Sequence, residues 1–247
     1  MPLEHPFPRM RFLALLWLLV YLPAYTQAYG LLNFLFLCNL GVMLSAYAMW
    51  RGDALLLSSQ AVGAPIVCAV WVLDVGSRLA TWQHWIGGTE YMWDPQFPVF
   101  QRLLSCYHAL WPFVLIACLR RIGYDRRAYR LQAGIAIATI LASRLAPAAA
   151  NVNFAWVDPV FHRAFEPALL HLLIVIGALV GVAYGLTHLT LKATFAPAAR
   201  NGVRSCLDTL ARPVGCRRCR TEIPRHEPRR PWLGMTGPGA TGPVSCT

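Results

Sequence analysis

The sequence predicts an all-α integral membrane protein, a bundle of about six transmembrane helices followed by a disordered C-terminal tail. Three observations carry this. Charged residues make up only 13% of the 247 residues, where a soluble domain has about a quarter. Hydrophobic types reach 57%, and they are gathered into runs of near-bilayer length. The arginines alternate between rich and poor connections along the chain.

The apolar runs fall at residues 12–28, 31–50, 54–77, 101–119, 130–147 and 167–191. In lipid every backbone N–H and C=O must find an internal partner, so each run is expected to be helical. The first is short and carries Pro23 near its end. A rival reading makes it a signal peptide, with Arg9 and Arg11, the run 12–22 and the small-residue site Thr26-Gln27-Ala28. Cleavage would leave five helices in the same orientation.

The arginine pattern sets the expected topology. Arg9, Arg11, Arg51, Arg120, Arg121, Arg126, Arg127 and Arg130 fall on one side, with Lys192 and the tail. Arg78, Arg102, Arg144 and Arg163 fall on the other, all near helix ends. Residues 1–194 therefore read as a multi-pass bundle with both termini cytoplasmic. Residues 195–247 read as a basic cytoplasmic tail, with nine arginines against three acids and no apolar periodicity. The basic excess belongs mainly to this tail, so no nucleic-acid partner is expected. Membrane lipids are the expected partners.

Two connections on the arginine-poor side, 80–100 and 148–166, are long and rich in aromatic and polar residues. One contains WIGGTEYMWDP (85–95), with Glu90, Asp94 and the Gly87-Gly88 pair. An aromatic belt with solvated charges would have this composition. So would the lid or rim of a pocket, with the glycines as its bend.

Asp74 lies inside the third run, about a turn from its end. An acid at that depth is costly and faces a protein interior or a wet cavity. Arg78, four residues on, offers a local ion pair; a functional site is the other reading. Gln60, Gly63, Val67, Trp71, Asp74 and Arg78 form one helical stripe. Gln101, Ser105, His108 and Pro112 form a second. His108 has the chemistry of an acid, base or metal ligand, or of a packed histidine bonded to a neighbour. Asp74 and His108 are the candidate catalytic pair, with the two stripes expected to face each other.

Arg78, His84, Glu90, Asp94, Arg144, Asn151 and Asn153 are candidates for the pocket and its rim. Asn39, Gln60, Gln132 and His188 are assigned to the opposite, less polar half. His171 and His188 lie about 25 Å apart along one helix and cannot share a site. Gly177, Gly181 and Gly185 form a four-residue repeat that permits close helix approach. It would serve packing within the chain or a homo-oligomer.

No metal or cofactor motif is present. The histidines lack HExxH spacing, and Cys216-x-x-Cys219 has no second pair at zinc-ribbon spacing. No Walker A loop, dinucleotide fingerprint or G-x-S-x-G elbow occurs.

The stretches LNFLFLCN (32–39), LLLSSQAV (55–62), WVLDVGSRL (71–79), GGTEYMWDP (87–95), LLSCYH (103–108), IGYDRRAYRLQ (122–132) and NVNFAW (151–156) resemble an uncharacterised group of bacterial multi-pass membrane-associated proteins. The resemblance covers residues 11 to about 192. It implies a bacterial inner-membrane location and no particular activity. A fainter similarity to YwaF-type membrane proteins rests on LCN (37–39) and His108.

Three functions fit these features. The first is a membrane-embedded enzyme acting on a lipid or other amphiphile, with His108 as general acid or base and Asp74 orienting or polarising. The second is a small-solute or proton transporter, with Asp74 and His108 as a titrating relay. The third is a non-catalytic assembly or scaffold subunit.

Overall fold

The computed structural model describes residues 5–158 and 162–195. The tail and its Cys216 and Cys219 lie outside the described residues. All regular structure among the described residues is helical. The helices are α1 (Met10–Tyr29), α2 (Leu37–Arg51), α3 (Ala54–Thr81), α4 (Val99–Leu104), α5 (Tyr107–Ile122), α6 (Ala128–Ser143), α7 (Ala168–Ile176) and α8 (Gly185–Thr194). A π-helical stretch, Gly177–Tyr184, joins α7 to α8.

The six apolar runs thus become six helical segments, but not six equal ones. Four are long and apolar enough to cross a membrane: Met10–Tyr29, Ala54–Thr81, Val99–Ile122 and Ala168–Thr194. The second run, expected as one helix, is interrupted. Residues Leu31–Leu35 form a 3-10 turn, Phe36 is extended, and the α-helix begins only at Leu37. That leaves 15 residues in α2 and 16 in α6, short of the ~20 that span a bilayer unaided.

The interruption is stabilised by side chains. Asn153 Oδ1 accepts from Leu37 N at 2.8 Å, while its Nδ2 donates to Leu35 O at 2.7 Å and to Ser143 Oγ at 2.9 Å. One amide therefore satisfies the first N–H of α2 and ties it to α6. Asp53 does the capping work at the start of α3, accepting from Leu56 N at 3.0 Å.

Helix α3 is the hub, packing on α2, α5, α6 and α8. Half of its most apolar stretch is buried, against 11% for α1 and 17% for Ala168–Thr194. Its contacts join polar groups as well as apolar ones. Gln60 Nε2 donates to Gln132 Oε1 of α6 at 3.2 Å. Between α2 and α5, Trp111 Nε1 donates to Ser45 Oγ at 3.1 Å, and Ser45 Oγ donates to Gly41 O at 2.6 Å. A Cβ at Gly41 would sit 2.5 Å from the Trp111 ring, so the indole needs a glycine there.

The glycine repeat does not pack inside the chain, contrary to one sequence expectation. A Cβ at Gly177 or Gly181 would meet nothing within 4 Å. The reason is orientation: Ala168–Thr194 lies at the periphery, and neighbours of the repeat such as Leu173, Val182 and Leu186 are more than half exposed.

Candidate functional site

Asp74 is fully buried near the end of α3. Trp82 ends the helix in the left-handed conformation (φ 63°), and the chain folds back over it. Gly87 and Gly88 have φ of 97° and 89°, values that L side chains resist. This turn brings Ile86 N and Gly87 N onto Asp74 Oδ1 at 2.8 and 2.9 Å. Asp74 Oδ2 accepts from His84 Nδ1 at 2.9 Å and from the Thr89 hydroxyl. Every acceptor direction of the carboxylate is used.

Asp74 therefore fastens the 82–89 loop rather than pairing with Arg78. Two backbone N–H groups, the Thr89 hydroxyl and His84 Nδ1 of this loop take every position an arginine would need. Arg78 instead lies against aromatic faces, its guanidinium carbon 6.0 Å from the Trp82 ring centre and 5.9 Å from that of Trp93.

The fastened loop forms one wall of a cavity of about 280 Å³. Gly87, Gly88, Thr89 and Tyr91 line that wall. The others come from α1 (Tyr25, Tyr29), the start of α2 (Cys38, Asn39), α3 (Val67, Val70, Trp71) and the α4–α5 bend (Ser105, His108). No Asp, Glu, Lys or Arg lines it. Most of its polar atoms are already engaged. Tyr25 Oη and Ser105 Oγ are 2.5 Å apart. Trp71 Nε1 donates to Tyr91 Oη at 3.0 Å. Asn39 Oδ1 accepts from Tyr21 at 2.7 Å and Tyr107 at 2.9 Å, and its Nδ2 donates to Asn33 O at 2.7 Å. Burial pushes the Tyr91 phenol well above its ordinary pKa, so it stays a neutral hydroxyl.

Three side chains of the lining keep an atom without a hydrogen-bond partner among the described residues: His108, Tyr29 and the amide of Asn33. His108 Nδ1 is 2.8 Å from Ser105 O. A carbonyl only accepts, so Nδ1 carries the proton, and Nε2 is the ring nitrogen left to exchange a proton with a ligand, as acceptor in the neutral ring. Nε2 has no hydrogen-bond partner among the described residues. The ring is held between Trp71 (centroids 4.8 Å apart) and Tyr107 (4.1 Å). Tyr29 Oη is also buried without a partner. The lining thus holds a free imidazole nitrogen, a free amide and a buried, unpartnered hydroxyl in an aromatic setting.

The structure does not join Asp74 to His108 by a hydrogen bond; Trp71, one turn before Asp74, is what touches His108. The seven residues assigned to the pocket and rim lie outside the lining. His84 belongs to the Asp74 anchor, and Arg78 lies against Trp82 and Trp93. Glu90 accepts from Gly88 N at 2.8 Å, and Asp94 from Gln96 N at 2.8 Å. Arg144 Nη2 donates to Ala168 O at 3.2 Å. Asn151 Oδ1 accepts from Trp156 N and Val157 N, both at 3.0 Å. Asn153 caps α2.

Asn39, placed by sequence in the opposite half, lines the cavity because α2 begins at Leu37 and not at residue 31. Tyr25 and Tyr29 were missed, although Tyr21, Tyr25 and Tyr29 recur at four-residue spacing, a readable polar stripe. Among the described residues, no cluster of three or more His, Cys, Asp or Glu side chains forms a metal-ligand set. Compared with known proteins, the chain matches no family model, no curated protein and no solved structure.

Proposed function

We propose that the chain is a multi-pass inner-membrane protein that binds an uncharged, hydroxyl-bearing part of a lipid or other amphiphile, and that His108 acts on it as a general base or acid. The observation that carries this is the unpartnered imidazole nitrogen of His108 in the aromatic cavity. His108 Nε2 is set to accept a ligand proton, and the unpartnered Tyr29 Oη belongs to the same lining. A buried polar group without a partner costs about 1–3 kcal/mol, which a hydroxyl-bearing ligand would recover. Asp74 takes no part in the chemistry; it holds the wall in place.

The far side of the cavity favours a dead-end site over a conduit. There Cys38 and Val67 are shared with a void of only about 10 Å³, closed by Gln60, Gln132 and Tyr184. The bundle of six helical segments, with both termini cytoplasmic, sets the orientation in this reading. The cavity then opens on the outer half of the membrane.

The test compares lipid extracts from cells lacking the chain with cells carrying the wild type, His108→Gln or Tyr29→Phe at matched abundance. His108→Gln is expected to reproduce the deletion profile, with Tyr29→Phe intermediate. Identical profiles with and without the wild-type chain would overturn the proposal.

A further inference from the structure

A second, larger cavity lies on the other side of Tyr107. It is a groove of about 620 Å³ between α1, α2 and the α4–α5 helix, walled by residues such as Leu13, Trp17, Ala46, Leu103 and Leu110. Most of its few polar atoms are satisfied inside the protein. Ser45 bonds Gly41 O and Trp111 Nε1, and Tyr107 Oη donates to Asn39. Only Trp17 Nε1 and the Cys106 thiol remain, too few to hold a polar ligand, so the groove fits hydrocarbon. Its lips are apolar too, with Leu13, Phe100, Leu103 and Leu110 each more than half exposed.

One end of the groove is charged. It closes at Met10 and Met49. Arg9 and Arg11 flank the first of these, and Arg51 follows the second by two residues. None of the three forms an ion pair with a described residue. Arg11 Nε is buried without a hydrogen-bond partner, with the guanidinium held over Phe12 and Trp50 at 4.8 and 5.4 Å. An alkyl slot ending at arginines that no described residue pairs with has the charge pattern of a phospholipid with an anionic head group.

We propose that this groove is a specific binding site for an anionic phospholipid, one acyl chain lying between α1 and the α4–α5 helix and the phosphate reaching Arg9 and Arg11. This rests on the membrane-spanning reading of the chain but not on the chemistry of the His108 cavity.

The test uses the full chain in mild detergent, titrated with phosphatidylglycerol or phosphatidylcholine of the same acyl composition and read by native mass spectrometry. One phosphatidylglycerol per chain is expected to bind at least tenfold more tightly than phosphatidylcholine. Each arginine near the head group contributes roughly fivefold, so Arg9→Gln with Arg11→Gln should weaken phosphatidylglycerol about twenty-five-fold and erase the preference. Glycerophosphoglycerol, the same head group without acyl chains, should not compete. His108→Gln should bind phosphatidylglycerol as the wild type does, whatever becomes of the cavity. Equal binding of the two lipids, an intact preference in the double arginine variant, or competition by the free head group would each overturn the site. Release of the chain from membranes by alkaline carbonate would instead overturn the membrane reading beneath it.

Discussion

Trp71 and His108 stack with ring centroids 4.8 Å apart and 11° between their planes. The indole edge is used as well, because Trp71 Nε1 donates to Tyr91 Oη at 3.0 Å. One side chain on the hub helix therefore holds both the ring with the free acceptor and the loop that walls the cavity. The stack fixes the plane of the imidazole, and the bond to Ser105 O fixes its tautomer. Nε2 is thus presented at a set position before any ligand arrives, which is how a site lowers the cost of binding.

Trp71→Phe should separate these two roles. Phenylalanine keeps part of the stack but cannot donate, so the Tyr91 hydroxyl loses its partner in a buried position. The expected cost is about 1–3 kcal/mol, from the lost bond and the volume removed. Thermal unfolding in detergent measures it. A melting temperature equal to wild type would mean that the Trp71–Tyr91 bond contributes nothing to stability.

Asp74→Asn distinguishes a loop anchor from an ion pair. Asparagine keeps one oxygen for Ile86 N and Gly87 N but loses the charge that strengthens all four bonds. The change should destabilise the protein by about 2–4 kcal/mol, and protease should nick residues 82–89 faster. Adding Arg78→Gln should leave that loss unchanged, since Arg78 rests on Trp82 and Trp93. Restoration of stability by the second change would revive the ion pair.

How much of this was legible in sequence depends on what each residue's partners are. The helical segments follow from hydropathy and were readable. The buried acid was readable too, because an Asp in an apolar run must be satisfied by something. Its partner was not: spacing pointed to Arg78 on the same helix, whereas the donors come from a loop whose return depends on the positive φ of Trp82, Gly87 and Gly88. Asn153 shows the same limit. It reads as a polar loop residue, yet it caps a helix 116 residues earlier, a contact no local pattern encodes. His108 was readable as a candidate from its residue type and its place on the stripe with Gln101 and Ser105. That Nε2 is its free nitrogen follows only from the Ser105 carbonyl beneath it.

The glycines divide into two classes that substitution should reveal. A Cβ at Gly63 would fall 2.5 Å from Gln132 Nε2, pushing on the amide that meets Gln60. Gly63→Ala should therefore cost about 1–3 kcal/mol despite the better helix propensity of alanine. Gly181→Leu faces open space and should leave the melting temperature of the isolated chain unchanged. If the repeat instead serves a homo-oligomer, Gly181→Leu should abolish cross-linking between copies. Destabilisation of the monomer by Gly181→Leu would contradict the peripheral placement of that helix.

The last prediction concerns orientation, where charge and contacts give independent arguments. By charge, reporters fused after residue 52, 125 or 195 should read cytoplasmic, and reporters at 88 or 157 external. Contacts group the connecting segments the same way. His5 Nε2 is 3.0 Å from Trp50 O, and Asp125 N donates to Ser58 Oγ at 3.0 Å, so the arginine-rich connections around 52 and 125 share one end of the bundle. At the other end, Gly87, Gly88 and Phe154 line one cavity, and Asn153 caps α2. Residues 88 and 157 must then report the same side, whichever side that is. Agreement between them with both cytoplasmic would keep the bundle, invert it, and move the cavity to the inner half of the membrane. Opposite signals at 88 and 157 would break the fold itself, because the loops that meet at the cavity would be separated by a bilayer.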